Sequence, residues 1–153
     1  MSKKWIIVAV ATLAFAALPA AAEMSDADAQ YYSDFGDAAK RVGKQLDKLG
    51  ELFAKASSGR DYSADCEDRA REFADAFHFL EEKVPPADAI TAQKDLMTSS
   101  ELGAQAALEL AEYFDAEFTH KEKVTAALDL YEQAIAKYAD ALEAAPVEVV
   151  KDK

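Results

Sequence analysis

Apolar residues recur every three or four positions over four long segments of this chain, and each segment closes at a helix-stopping residue. In the first, Tyr32, Phe35, Ala39, Val42, Leu46, Leu49, Phe53 and Ala56 share one face at about 3.6 residues per turn. This stripe predicts a helix over 26–57 with Ser25 as N-cap, Asp26 and Asp28 at the positive end of the helix dipole, and Ser57-Ser58-Gly59 as its exit. In the second, Cys66, Ala70, Phe73, Phe77, Leu80 and Val84 predict a helix over 63–84, stopped by Pro85-Pro86 because proline disfavours a helical residue before it.

The third segment, 86–118, opens at Pro86 and carries Ile90, Gln93, Met97, Ser100, Ala104, Ala107, Ala111, Phe114 and Phe118. Thr98 and Glu101 have capping-box spacing and Gly103 follows, a signal for a break near 98–103. The fourth, 120–145, carries Val124, Leu128, Tyr131, Ile135, Tyr138 and Leu142, with Thr119 and Glu122 as a capping box and Pro146 as its end. No segment alternates strictly enough for a half-buried strand. Four amphipathic, coiled-coil-like segments joined by short connections predict an all-α fold: an elongated antiparallel four-helix bundle, up-down-up-down, over 23–146, followed by a loose tail at 147–153.

The segment before the first stripe has a different character. A short basic start, Met-Ser-Lys-Lys, leads into an uncharged run from Trp5 to Leu18 and then Pro19-Ala20-Ala21-Ala22. That order is a secretory signal peptide over 1–22, cut after Ala22. The run falls short of the roughly 20 residues that span a bilayer. The expected destination is therefore the periplasm or the exterior, with no membrane attachment after cleavage.

Composition sharpens the picture. The 153-residue chain has a formal net charge of −12, and loss of 1–22, with its two lysines and no acid, shifts this to −14. A nucleic-acid binder normally shows a basic footprint, so nucleic acid is not an expected partner. Asp37/Arg41, Glu51/Lys55, Asp65/Arg69 and Glu67/Arg71 have the spacing of ion pairs within a helix. Lys40, Lys44 and Lys48 form a short basic row. The single cysteine, Cys66, leaves no internal disulfide. It reads as a buried small residue, or as the sulfur of an intermolecular disulfide in an oxidising compartment.

Candidate chemistry is sparse. Asp75-x-x-His78 and Glu117-x-x-His120 are the carboxylate-histidine frames with which some helical bundles hold metals. Neither histidine lies on an apolar stripe, and helical rise sets the two far apart. A b-type haem would need inward axial ligands; Met97 is on a stripe, and the fourth helix body holds no histidine. A metal- or haem-binding bundle using His78, His120, nearby carboxylates or Met97 is thus the alternative, and no cofactor is expected. No Gly-x-Ser-x-Gly or phosphate-cradling glycine loop is present, and no catalytic set is read.

The third stripe is the most informative, because its seam is built from small residues. Such a seam either admits a neighbouring helix closely or leaves an apolar slot for a small ligand, walled by Phe73, Phe77, Leu96, Met97, Ala104, Ala107 and Leu110. Tyr131-x-x-Ala134-Ile135-x-x-Tyr138-x-x-Ala141-Leu142-Glu143-x-x-Pro146 resembles the second helix of a tetratricopeptide repeat. The preceding signature does not align, since Lys121 and Glu122 stand where leucine and glycine belong, and no second copy follows at a period of about 34. The expected function is that of a non-catalytic binding module. Its partner is another protein, its own copy or a small apolar molecule.

Overall fold

The computed structural model describes residues 13–15, 24–146 and 149–151. Between 24 and 146 every regular element is helical: α1 (Asp26–Ala54), α2 (Ser63–Glu81), a 3-10 turn at Ala87–Ala89, α3 (Ile90–Asp115) and α4 (Lys121–Ala144). Strands β1 (Leu13–Phe15) and β2 (Val149–Lys151) form a short antiparallel pair, with Ala14 opposite Val150. Apart from these strands, the expected signal peptide over 1–22 and the expected tail over 147–153 lie outside the described residues.

The α1 stripe packs as its period requires. Ser25 Oγ accepts the Asp28 N–H at 3.1 Å, the predicted cap. Tyr32, Phe35, Ala39, Val42, Leu46, Leu49 and Phe53 are all buried, with Tyr31, Ala38 and Leu52 beside them. This helix supplies more of the large side chains of the core than any other. The three helices facing it are held close by small ones.

Close packing is tightest between α3 and α4. The buried Ser99 hydroxyl donates to the Ala134 carbonyl at 2.7 Å, a side-chain bond to the backbone of the neighbouring helix. Asp95–Lys137 and Glu109–Lys123 bracket it, so the contacts run in opposite order along the two helices. In that register Ala92 falls opposite Ala141 and Ala106 opposite Ala127, and all four are buried. Leucine at these positions would hold the backbones apart.

That proximity explains a correction on α4. The residues inside are Ala127, Tyr131, Ala134, Tyr138 and Ala141, whereas Val124, Ile135 and Leu142 are half-buried and Leu128 is exposed. The helix is rotated by about one position from its largest side chains, because alanine rather than leucine fits against the α3 seam. On α2, likewise, Ala76 is buried and Phe77 only half-buried. Val84 is 89% exposed, and Ile90 at the start of α3 is 54% exposed. Helix α2 stops at Glu81, so Val84 no longer shares the phase of its stripe.

Two cap assignments also change. Helix α3 runs without a break through 98–103. The Thr98 and Ser100 hydroxyls donate back to the Lys94 and Leu96 carbonyls, each at 2.9 Å, so neither caps a new helix. Gly103 allows a close approach here: a Cβ added to it would lie 2.7 Å from the Phe73 ring. At the start of α4 the Thr119 hydroxyl donates to the Ala116 carbonyl, and Glu122 pairs with His120. The expected Thr119–Glu122 box is replaced by a tight exit from α3, with Glu117 and Phe118 at φ 52 and 65 and the Phe118 N–H on the Tyr113 carbonyl.

Charged side chains reach across helices more than along them. Arg41 pairs with Glu72 and Asp75 of α2 in place of Asp37, and Arg69 donates to Gln45 of α1 in place of pairing with Asp65. Arg71 takes Asp68, and Lys55 lies over the Tyr62 ring.

Candidate functional site

An open apolar surface lies where α2 turns into α3, and its shape starts with the loop between them. Pro85-Pro86 forces residues 82–86 out of helix, so the carbonyls around the α2 exit, Leu80 and Lys83 among them, lack regular i+4 partners. Gln93 supplies them: its buried Nε2 donates to the Leu80 and Lys83 carbonyls at 3.1 and 3.2 Å, and its Oε1 accepts the Tyr31 hydroxyl at 2.7 Å. Tyr32 donates to Asp88 at 2.6 Å, and Lys83 pairs with Asp34 at 3.1 Å while lying over the Phe79 ring.

These bonds tie the loop to the start of α1 and shift two acid–base equilibria. Burial, and then the Asp88 carboxylate, hold the Tyr32 phenol well above its ordinary range. The hydrogen bond from Lys83, then that from Gln30, lowers the Asp34 carboxyl. With the loop fixed from inside, Val84 and Ile90 are left facing outward.

Beside them runs a groove of about 320 Å³ lined by Phe77, Pro85, Ile90, Gln93, Lys94, Met97, Thr98 and Glu101. Farther along α3, Leu108 is 50% exposed. Ile90 and Leu108 are eighteen residues apart in sequence, about five helical turns, and so share a face. A second, smaller groove of about 230 Å³ lies between α1 and α2 at Asp37, Ala38, Arg41, Ala76 and Phe79.

The residues expected to wall a ligand slot separate into two groups. Phe73, Leu96, Ala107 and Leu110 are fully buried, and the Phe73 ring occupies the space over Gly103. Phe77 and Met97 line the outer groove, and Ala104 is half-buried. Sequence reasoning missed Gln93 as the hub of the loop and placed it among apolar stripe residues. A polar residue on such a stripe, one turn after a Pro-Pro break, was the available signal.

The two histidines lie apart, as helical rise predicts, and each contacts a carboxylate other than the one its frame supplies. His78 contacts Glu81 at 3.3 Å, while Asp75 contacts Arg41. His120 contacts Glu122 at 3.0 Å. His78 sits near the end of α2 and His120 just before α4, so the length of α3 separates them. Met97 faces the groove. Among the described residues no three His, Cys, Asp or Glu side chains gather in metal-binding geometry.

Cys66 is fully buried at the start of α2. Burial, followed by the charges of Asp65 and Asp61, pushes its thiol up to about 12. A bridge to another chain would require this end of α2 to open. Lys40 and Lys44 are exposed on α1. Among the described residues no helix is long and apolar enough to cross a membrane. No protein-family model matches the sequence, and comparisons with curated proteins and with solved structures give no match.

Proposed function

We propose that the chain is exported, loses residues 1–22, and serves as a non-catalytic binding module in the periplasm or outside the cell. In this reading the mature protein is an elongated up-down-up-down bundle. Cross-helix pairs support that topology: Arg41–Glu72 with Gln45–Arg69 run oppositely on α1 and α2, and Tyr31–Gln93 with Ala56–Tyr113 run alike on α1 and α3.

The observation that carries the binding role is the α2–α3 face. Val84 and Ile90 stand in solvent beside a groove lined by Phe77 and Met97, although the loop leading into α3 is fastened by buried hydrogen bonds, and Leu108 is exposed farther along α3. Exposed apolar side chains held in place and rimmed by polar ones mark an interaction surface. The occupant is a protein partner, a second copy or a small apolar molecule.

Photo-crosslinking from positions 84 and 90 in the protein's own compartment tests this. A crosslink that disappears in Ile90→Asp, with thermal stability unchanged, supports the reading. Absence of any crosslinked species or bound small molecule at this face contradicts it.

A further inference from the structure

We propose that the occupant of the α2–α3 face is the same face of a second copy, related by a two-fold axis passing between Met97 and Thr98. The proposal rests on the binding-module reading above and names its partner. The argument comes from charge. Lys94 and Glu101 both line the groove, seven residues apart and about two helical turns, with Met97 and Thr98 midway between them. Neither has an ion-pair partner among the described residues.

A two-fold axis at that midpoint sets two α3 helices antiparallel. Lys94 of each copy then meets Glu101 of the other, so one operation forms two ion pairs. The same axis brings Ile90 within about one turn of Leu108 of the second copy, covering two of the exposed apolar side chains. Such an interface is self-complementary, as closed dimers require. The net charge of the chain opposes self-association, but repulsion between distant charges is screened beyond about 8 Å at physiological salt. Across the axis itself the two opposite charges balance.

The test uses sedimentation equilibrium at physiological salt on the full chain, expressed with its own leader and purified from the compartment that receives it. Wild type is expected to dimerise. Lys94→Glu and Glu101→Lys each replace two attractions with two repulsions and should raise the dimer dissociation constant about tenfold or more. The double variant Lys94→Glu/Glu101→Lys should restore the dimer, and an equal mixture of the two single variants should form heterodimers.

Circular dichroism confirms that these surface variants keep their helices. A wild type that stays monomeric up to about 1 mM, or single variants that dimerise like wild type, overturns the proposal. Failure of both the double variant and the mixture to recover association also overturns it. A monomeric wild type that still crosslinks to a different protein through position 84 or 90 removes the self-pairing alone and leaves the binding-module reading standing.

Discussion

Tyr131 and Tyr138 occupy equivalent places one heptad apart on α4, but only Tyr131 has a partner for its hydroxyl. Tyr131 donates to the Leu46 carbonyl at 3.0 Å and lies where a Cβ on Gly50 would stand 2.6 Å from its oxygen. The Tyr138 hydroxyl is buried with no hydrogen-bond partner among the described residues. The two Tyr→Phe variants should therefore differ in sign. Tyr131→Phe loses that bond while the Leu46 carbonyl keeps its partner within α1, costing about 1 kcal/mol. Tyr138→Phe removes an unpaired polar atom and should be neutral or stabilising. Urea unfolding of both variants checks this.

Gly103 on α3 makes room for the Phe73 ring of α2. Glycine inside a helix normally costs about 1 kcal/mol relative to alanine, so Gly→Ala would ordinarily stabilise. Here three Phe73 ring atoms lie within 2.9 Å of the added methyl. Gly103→Ala is expected to destabilise by about 1–3 kcal/mol. Combining it with Phe73→Leu should cost less than the two changes summed, as a double-mutant cycle on thermal or urea melts would show.

The exit from α3 carries two consecutive residues in left-handed backbone without a glycine, Glu117 and Phe118. Phe118 is anchored, with its ring against Tyr113 and Phe114. Glu117 is exposed and has no comparable packing. Glu117→Gly should stabilise by about 0.5–1 kcal/mol, whereas Phe118→Gly should destabilise by removing the ring that closes the turn.

Cys66 is expected to contribute to the loss of stability on the alkaline side. Its thiol is raised from 9.0 to about 12 by burial and then by neighbouring carboxylates. A raised folded-state value contributes stability that is complete below pH 9 and is lost as pH climbs toward 12. Burial raises the Tyr31 and Tyr131 phenols from 10.0 to about 12, which acts in the same direction. Unfolding on the alkaline side should therefore begin near pH 9, and Cys66→Ala should remove its earliest part. In native protein at neutral pH the thiol should react with a disulfide reagent only at the rate of local opening. Asp34 acts with the opposite sign: its lowered value contributes stability above its ordinary 3.8 that is lost as pH falls further, and Asp34→Asn should abolish that loss.

Much of the helix plan was legible in the sequence. The α1 stripe, the Ser25 cap and the Pro85-Pro86 stop follow from period and local stereochemistry, which act within a few residues. The errors arise where a distant neighbour decides. Alanine entered the α4 core ahead of leucine because Ser99 and its small neighbours on α3 demand a close helix. Arg41 and Arg69 crossed to other helices because their nearest acceptors lie there. The groove was less legible still. The stripe identifies Phe77 and Met97 as slot residues but places Val84 and Ile90 inside, and only the path of residues 82–89 puts them in solvent.

The claim at the centre of this account is that an exported bundle leaves one apolar face open for a partner. Native mass spectrometry of the protein isolated from its own compartment tests it most directly, because one spectrum reports processing and occupancy together. The expected result is a chain beginning at Glu23 within a non-covalent complex that Ile90→Asp dissolves. A chain retaining residues 1–22, or a processed chain found only as a bare monomer with the same spectrum as Ile90→Asp, would contradict it.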